Sequence, residues 1–268
     1  MLPLDSKLAG KYDALCADIA EKAQVAVAFS GGVDSTLLLK AAMDATGGKA
    51  IALLAATPLQ PESETRAAIN TATALGAELH VRELDPLLLP EFVENPPDRC
   101  YHCKKAIYSD FTQYISRQPD TTLLDGTNID DLQEERPGRR AISELAVATP
   151  LVEANLDKHE IRTISKTLQL ATWNKPSASC LATRITTGQY IDKNKLALIA
   201  SCEAHLHDLG VQDCRVRLGI EDNALIELIS HDFNLLSSQE IRTKALLFFK
   251  SMGIRKVFLD LSERKSNV

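Results

Sequence analysis

The fold of this 268-residue chain is decided by one stretch, Ala26-Val27-Ala28-Phe29-Ser30-Gly31-Gly32-Val33-Asp34-Ser35. Its apolar first part favours a short strand, and its two glycines predict a turn. Apolar residues then recur at helical spacing until Gly47 and Gly48, which predicts a helix that ends there. A strand joined through glycines to a helix is typical of a parallel α/β sheet.

The same alternation of strand and helix continues through the first half of the chain. Further strands are predicted at residues 50–55, 78–84 and 121–125, with a helix at 61–75. In a parallel sheet the ligand crevice lies at the carboxyl ends of the strands, and the glycine turn falls at such an end. We therefore expect an α/β domain with flanking helices over residues 1–175.

The pattern changes in the second half of the chain. A helix is predicted at 192–209, and a capping box, Ser237-x-x-Glu240, predicts the start of another that runs to Ser251. Strands are predicted at residues 213–218, 224–229 and 257–261. This order predicts a smaller α+β domain over residues 176–268. We expect it to serve substrate binding and the assembly of a homo-oligomer.

Composition and charge argue against several classes of protein. The 45% of apolar and 25% of charged residues are typical of a folded domain. The net charge of −6 argues against a protein that binds nucleic acid mainly through its phosphates. No apolar run approaches the ~18 residues of a membrane-spanning helix, and no signal-peptide pattern opens the chain, so we expect a cytoplasmic protein without a membrane partner. Six cysteines are too few for a disulfide scaffold, which favours metal or thiol chemistry for clustered ones.

The glycine turn has the chemistry of a phosphate site. Backbone N–H groups at a helix start favour an anion, and the hydroxyls of Ser30 and Ser35 add donors. Asp34 suits a Mg²⁺ ion beside the phosphates. The alternative is a plain glycine turn in which Asp34 and Ser35 cap the helix. The Walker sequence and the GxGxxG sequence are both absent from the chain.

The hexapeptide from Ser30 to Ser35 resembles the SGGxDS signature of the PP-loop ATP pyrophosphatases. The resemblance implies their fold, a parallel sheet of the adenine nucleotide alpha hydrolase-like kind. It also implies that ATP reacts at its α-phosphate, so that a substrate oxygen is adenylated and pyrophosphate is released. The residues that it assigns to pyrophosphate and Mg²⁺ are Ser30, Gly31, Gly32, Asp34 and Ser35, and those that it assigns to the adenosine are Ala28, Leu54 and Gly126.

Two cysteine segments lie outside this loop. The pair in Cys100-Tyr101-His102-Cys103 is compatible with redox chemistry, with metal binding or with no function. Cys180 lies in a polar, irregular stretch close to Arg184, a cation that would stabilise a thiolate. The remaining cysteines lie on apolar faces of predicted elements and fit buried apolar positions; they are Cys16, Cys202 and Cys214.

The stretch from Cys100 to Arg184 is similar to the LarE-type ATP-dependent sulfur transferases, which make the nickel-pincer nucleotide cofactor. The matching motifs are Arg99-Cys100-Tyr101-His102-Cys103-Lys104, Gly126-Thr127-Asn128-x-Asp130-Asp131, Arg136-Pro137-Gly138-x-Arg140-Ala141, Pro150-Leu151, Lys158-x-Glu160-Ile161-Arg162 and Trp173-x-Lys175-Pro176-x-x-x-Cys180-Leu181-Ala182-x-Arg184. The chain departs from the family at Thr183, where serine is common. It also lacks the usual glycine-rich ending between Leu259 and Lys265, which leaves the role of this tail open.

The resemblance implies a substrate and a reaction. The substrate is pyridinium-3,5-biscarboxylic acid mononucleotide, a carboxylate of which is adenylated before a sulfur nucleophile displaces AMP. Some family members give up the sulfur of a lone cysteine at the position of Cys180, and others bind a 4Fe-4S cluster on three cysteines and transfer external sulfide. Cys100, Cys103 and Cys180 match the second kind. The resemblance thus implies a cluster on these three residues, with Cys180, Asp34 and Arg184 in catalytic roles.

A pair of arginines in the second half is a further candidate site. Arg215 and Arg217 are two residues apart on a predicted strand, so both side chains emerge on one face. Adjacent guanidiniums suit a phosphate or a carboxylate, and the alternative is a surface with ordinary ion pairs. The resembled family has the same Arg-x-Arg near the substrate phosphate, which implies substrate binding. Lys104 is a candidate for substrate binding or for a solvated helix start.

Other functions are compatible with parts of this pattern. A tRNA-thiolating PP-loop enzyme would need a large basic surface, against which the net charge of −6 argues. A nucleotide-binding iron–sulfur redox module would bind ATP without releasing pyrophosphate. An ammonia-dependent ligase of the same superfamily has no use for Cys180. A cluster, a zinc ion and bare thiols all stay open as the contents of the three-cysteine site.

Overall fold

The computed structural model describes residues 5–118, 120–133, 137–176 and 179–264. The chain divides into two compact units, Met1–Pro86 with Asp98–Lys175 and Leu87–Pro97 with Pro176–Val268. Of the motifs quoted above, Arg136, Ser177, Ala178 and Lys265 lie outside the described residues. Within the described ranges, no helix is long and apolar enough to cross a membrane.

The first unit contains a parallel sheet with the strand order β3-β2-β1-β4. Its strands are β1 (Gln24–Ala28), β2 (Ile51–Ala56), β3 (Glu78–Glu83) and β4 (Thr121–Leu124). Val27 near the end of β1 pairs with Ala52 on one side and Leu124 on the other. The loops that leave β1 and β4 therefore start side by side. The prediction of a parallel sheet flanked by helices is confirmed.

Twelve α-helices lie in the described part of the chain. They are α1 (Ser6–Ala20), α2 (Val33–Ala45), α3 (Glu62–Ala74), α4 (Pro90–Val93), α5 (Arg99–Ile115), α6 (Ile129–Gln133), α7 (Gly138–Glu144), α8 (Pro150–Glu153), α9 (Lys158–Thr167), α10 (Lys193–Asp208), α11 (Ser230–Ser237) and α12 (Gln239–Ser251). The start of α9 is held by a capping box in which Asp157 and Glu160 exchange bonds with each other's backbone N–H. This cap places Lys158 as the first helical residue.

Alternate residues of the strands enter two cores on opposite faces of the first sheet. Val25 and Val27 pack with residues of α1, α2 and α9. Ala26, Leu53 and Leu123 pack on the other face with residues of α5 and α7. Burial on both faces explains why β1 and β2 are largely apolar runs in the sequence.

The second unit contains a sheet of three strands in the order β5-β6-β7. They are β5 (Cys214–Leu218), β6 (Asn223–Leu228) and β7 (Lys256–Leu259), and β6 is antiparallel to β5 and parallel to β7. Residues of α10 and α12, among them Cys202 and Phe249, form a core with the strands. Ser237 ends α11 instead of opening the next helix, which Ser238 caps without a side-chain hydrogen bond, so the predicted capping box is wrong.

Residues 87–97 belong to the second unit, although the sequence pattern assigns them to the first domain. The reason is the fully buried side chain of Asn95. Its amide donates hydrogen bonds to the carbonyl oxygens of Thr186 at 2.8 Å and Gln189 at 3.0 Å. A buried amide needs such partners, so this one anchors its segment to residues 91 and 94 positions further along the chain.

Candidate active site

The phosphate loop is the segment from Ser30 to Ser35. It follows β1 and includes the first residues of α2. Gly31 has a φ of +70°, and a Cβ atom there would lie 2.6 Å from the Cβ of Ala68 in α3. Both the backbone conformation and this close approach require glycine. Gly32 is the N-cap of α2, so its chain neighbours present the free N–H groups of the helix start.

Two serine hydroxyls hold the loop in shape. The Oγ atoms of Ser30 and Ser35 lie 3.1 Å apart, and the Ser35 Oγ also donates to the Gly32 carbonyl oxygen at 3.2 Å. The Ser30 N–H donates to the Ser35 Oγ at 3.2 Å. The loop is therefore closed on itself before any ligand binds, which lowers the entropy lost when an anion is bound.

Asp34 lies in the first turn of α2 and contacts two residues that are distant in sequence. Its carboxylate forms an ion pair with the Lys158 ammonium at the start of α9. The Asn128 side-chain amide donates to the Asp34 Oδ1 at 3.3 Å. Lys158 is held in turn by its backbone N–H, which donates to Asp130 at 2.9 Å. An acid, an amide and a cation thus meet beside the phosphate loop.

Gly126 brings the end of β4 against the phosphate loop. A Cβ atom at Gly126 would lie 3.2 Å from the Ser35 backbone nitrogen, so this glycine allows a tight approach. Of the other two residues assigned to the adenosine, Ala28 is half-buried at the end of β1. The Leu54 side chain is 1% exposed and belongs to the core.

Lys175 ties the loop to a neighbouring helix. Its ammonium donates to the Gly31 carbonyl oxygen at 3.1 Å and pairs with Glu64 of α3 at 2.8 Å. The backbone of the loop is therefore fixed from outside as well as by its own serines.

Lys104 lies on α5 and pairs with Asp125, a buried carboxylate that directly follows β4, at 3.3 Å. Asp125 also accepts hydrogen bonds from the Tyr108 hydroxyl and from the Thr127 N–H, the latter at 2.8 Å. Burial opposes ionisation of Asp125, but the Lys104 charge and these hydrogen bonds outweigh it and lower its pKa. Burial beside Asp125 raises the pKa of Tyr108 well above its ordinary value.

The cysteines differ in burial and in location. Cys100 is exposed and Cys103 half-buried; they are three residues apart on α5 and therefore share a helix face. Cys180 is half-buried and belongs to the second unit. Among the described residues, no group of three or more His, Cys, Asp or Glu side chains is arranged to hold a metal ion.

The three remaining cysteines lie in apolar surroundings. Cys202 and Cys214 are buried, which confirms the prediction, and Cys16 is half-buried. Burial raises the pKa of the Cys202 thiol to about 12 and shifts that of Cys214 in the same direction. Protonated, buried thiols are poor nucleophiles, so these two residues have a structural role.

Arg184 organises the turn that carries Cys180. Its buried guanidinium donates to the carbonyl oxygens of Ser179 at 2.6 Å and Cys180 at 3.0 Å. It also pairs with Glu203 of α10 at 3.0 Å, and this carboxylate accepts the Val216 N–H of β5 at 3.0 Å. The arginine thus fixes the backbone at Cys180 to the helix and the sheet of the second unit.

Arg215 and Arg217 emerge on one face of β5, since the residues between and beside them are buried. Arg217 is engaged: it pairs with Glu227 of β6 and donates to the Thr183 carbonyl oxygen at 2.7 Å. The Nε of Arg215 is buried and has no hydrogen-bond partner among the described residues. The strand therefore offers one arginine with an unused buried donor.

Comparison with known proteins places the chain in a family. No family model matches it. A pyridinium-3,5-bisthiocarboxylic acid mononucleotide synthase of Lactiplantibacillus plantarum is 33% identical over 97% of this chain and 93% of that protein. The chain belongs to the LarE family of sulfur transferases. Uncharacterised proteins of Synechocystis sp. and Methanocaldococcus jannaschii are 32% and 30% identical, over 97% and 91% of this chain and 96% and 91% of their own lengths.

Membership in the LarE family confirms the resemblance that the motifs of residues 99–184 carry, and the three-cysteine kind stays a prediction. The sequence reasoning missed three residues that the structure places on the phosphate loop, namely Asn128, Lys158 and Lys175. All three lie inside motifs quoted for the LarE resemblance. Their presence in those motifs could have identified them as candidate site residues.

Proposed function

We propose that the chain is an ATP-dependent sulfur transferase in the biosynthesis of the nickel-pincer nucleotide cofactor. It would adenylate a carboxylate of pyridinium-3,5-biscarboxylic acid mononucleotide, release pyrophosphate and insert sulfur. The observation that carries the proposal is the Asp34 carboxylate at the phosphate loop, paired with Lys158 and bonded to Asn128. The 33% identical relative is a pyridinium-3,5-bisthiocarboxylic acid mononucleotide synthase, which supports the product class.

The phosphate loop has donors for the two terminal phosphates of ATP. The N–H groups at the start of α2 and the hydroxyls of Ser30 and Ser35 would bind them. The Asp34 carboxylate fits Mg²⁺, which takes one or two carboxylates together with phosphate oxygens. When bound, Mg²⁺ would neutralise charge on the departing pyrophosphate. Lys158 would exchange its pairing with Asp34 for a phosphate oxygen.

The two proposed steps balance without an oxidant or a reductant. A substrate carboxylate oxygen attacks the α-phosphorus, the bond to the bridging oxygen of the β-phosphate breaks, and pyrophosphate leaves. Hydrosulfide from an external donor then attacks the acyl carbon, the carbon–oxygen bond to AMP breaks, and a thiocarboxylate and a proton form. Cys180 is the proposed sulfur-handling residue, and Arg184 would hold its turn in position.

The substrate is anionic, and its carboxylates and phosphate need cationic partners. We assign these to Arg215 and Arg217 of β5 and to Lys104 of α5, which Asp125 orients. We further propose that the enzyme works as a cytoplasmic homo-oligomer and takes its sulfur from an external donor.

The 4Fe-4S cluster stays a prediction from the resemblance to the three-cysteine kind. Cys100 and Cys103 share a helix face, and Cys180 would be the third ligand. Neither proposed step depends on the cluster.

The proposed function is tested by measuring whether ATP cleavage releases pyrophosphate or orthophosphate. Protein, Mg²⁺, ATP and the dicarboxylate mononucleotide should together yield pyrophosphate and AMP, measured by coupled assay and by ³¹P NMR. Without the mononucleotide the yield should fall to background, because the α-phosphate then lacks its carboxylate acceptor. Release of orthophosphate and ADP would exclude attack at the α-phosphate and so refute the proposal.

A further inference from the structure

A cavity of about 670 Å³ lies at the amino ends of the strands of the first sheet. Val25 of β1 and Ile51 of β2 line it, together with Glu78 at the start of β3. The phosphate loop follows the other end of β1, and the five residues of this strand place the two about 16 Å apart. The volume is that of a small-molecule site, and the cavity belongs entirely to the first unit.

The floor of the cavity is apolar, and its walls are the ends of helices. Val25 and Ile51 are buried core residues at the floor. Ala20 and Ala45, the last residues of α1 and α2, line the walls together with Ala23 before β1. Their short side chains leave room between the helix ends. An apolar group of a ligand would therefore be covered on several sides.

The charged side chains of the cavity are unevenly matched. Three are cations and one is an anion; they are Lys22, Lys49, Arg117 and Glu78. The Glu78 carboxylate is bonded to His80 at 2.8 Å. Lys49 and Arg117 form neither an ion pair nor a side-chain hydrogen bond with any residue in the described ranges. The cavity therefore carries two cations whose charge has no partner among those residues.

Capping of the helix ends does not account for these two cations. Lys22 does cap a helix: its ammonium donates to the Asp18 carbonyl oxygen at 2.8 Å and pairs with the Asp18 carboxylate at 2.9 Å. At the end of α2 a helix carbonyl accepts the Thr46 hydroxyl at 2.7 Å. Lys49 and Arg117 make no bond of this kind within the described part of the chain, so their ammonium and guanidinium groups are available to a ligand.

We propose that this cavity binds a small organic anion that has an apolar body. The apolar body would lie on Val25 and Ile51, and the anionic group would pair with Lys49 and Arg117. The first unit would then have a second binding site at the opposite end of β1 from the phosphate loop. This site is independent of the proposed function, in which no residue of the cavity takes part.

Fluorescence titration of the full chain with 1-anilinonaphthalene-8-sulfonate, an aromatic anion, tests the site. Binding should be saturable, and Lys49→Glu and Arg117→Glu should each weaken it by about tenfold, because each replaces an attractive charge by a repulsive one. Lys7→Glu makes the same charge reversal at an exposed lysine near the other end of α1 and should leave the affinity unchanged. Equal affinities in Lys49→Glu and Lys7→Glu would overturn the proposal.

A neutral probe tests the need for an anionic group. N-phenyl-1-naphthylamine has the same rings without the sulfonate, so it should bind about tenfold more weakly than the anion. Its affinity should be the same in Lys49→Glu as in the wild type. An affinity for the neutral probe as high as that for the anion would overturn the proposal.

The location of the bound probe is tested by filling the cavity. Ala23→Trp adds a large side chain without changing the charge and should abolish saturable binding of the anion, while circular dichroism shows a folded chain. ATP with Mg²⁺ should not displace the probe, because the phosphate loop lies at the other end of β1. Wild-type affinity in a folded Ala23→Trp variant, or displacement of the probe by ATP, would refute the site and leave the proposed function untouched.

Discussion

At the scale of single residues, the site depends on charges whose pairing is exchangeable. Asp34 and Lys158 face each other as an ion pair, and both side chains keep about a quarter of their surface exposed. A partly exposed pair is worth little to stability, since water screens it. Its value lies in presenting a carboxylate and an ammonium to the same incoming ligand, a magnesium-bound polyphosphate.

The first prediction concerns this pair. Asp34→Asn and Lys158→Gln should each lower the rate of pyrophosphate release by about 10- to 100-fold, because each removes a charge from the bound polyphosphate and its metal. In the double variant the activation free energy of pyrophosphate release should rise by less than the sum of its rises in the two single variants, since the residues share one ligand. Far-ultraviolet circular dichroism should be unchanged.

Lys166→Gln is the matched control, because it removes an exposed ammonium from the same helix. Strictly additive losses in the double variant would show that Asp34 and Lys158 act separately.

A second prediction concerns Asp125 and the loss of folding stability at acidic pH. Its pKa in the folded state lies below the ordinary value of 3.8, so the unfolded chain takes up this proton first as the pH falls. Its contribution to stability is therefore complete above that ordinary value and is lost as the pH falls through it toward the lower pKa of the folded state.

Asp125→Asn should lower the free energy of unfolding at pH 7 by about 1.5–3 kcal/mol and make its fall below pH 4 shallower. Urea unfolding between pH 3 and pH 7 measures both effects. Asp13→Asn changes an exposed carboxylate and should keep the slope of the wild type. If the free energy of unfolding fell as steeply below pH 4 in Asp125→Asn as in the wild type, other carboxylates would be responsible for the loss of stability.

At the scale of elements, the phosphate loop depends on how closely α3 approaches it. Gly31 combines a positive φ with a position where a Cβ atom would overlap Ala68, whereas Gly47 has a positive φ of +61° and open space. The two glycines therefore separate the effect of backbone strain from the effect of crowding. Lys175, bonded to Gly31 and Glu64, holds the loop and α3 at this distance.

The third prediction uses this comparison. Gly47→Ala should lower the free energy of unfolding by about 1 kcal/mol, the strain of a left-handed backbone conformation alone. Gly31→Ala should cost about 1–3 kcal/mol more and should weaken ATP binding, because the loop must move away from α3. Ala68→Gly introduced into Gly31→Ala should restore much of the ATP affinity. Equal costs at the two glycines, by urea unfolding, would show that crowding plays no part.

At the scale of the whole molecule, the proposed catalytic residues are divided between the two compact units. The phosphate loop, Lys104 and the CxxC pair belong to the first, and Cys180 with its arginines belongs to the second. The fate of the cysteines in turnover is the property that distinguishes the two kinds of family member.

The last prediction is that Cys180 stays intact during turnover. Three cysteines match the kind that uses external sulfide, so anaerobic protein supplied with sulfide should make several product molecules per chain. Iron and sulfide should be present in the purified protein, and Cys100→Ser, Cys103→Ser and Cys180→Ser should each lose both the iron and the activity. Cys16→Ser, at a half-buried position, is the control. Dehydroalanine at position 180 in the mass spectrum, with full activity in Cys100→Ser, would contradict the prediction.

The phosphate loop and the first sheet could be predicted from the sequence alone. Strand, turn and helix are contiguous between residues 24 and 45, and each is set by a local pattern of apolar residues, glycines and caps. The repeated alternation then leaves few topologies, because crossovers between parallel strands have one hand. The family could be inferred for a related reason, since its motifs are short segments that can be read without coordinates.

The contacts between distant side chains could be seen only in the folded structure. Lys158 reaches Asp34 across 124 positions, and Asn95 draws residues 87–97 into the second unit by bonds to carbonyls about 90 positions away. Arg264 meets Asp213 because the chain after β7 continues along β6. Such pairings depend on the path of the backbone and on how far a side chain reaches, and no periodicity encodes either. Local sequence patterns therefore specify the fold, whereas the arrangement of charges in the proposed sites forms only when the chain folds.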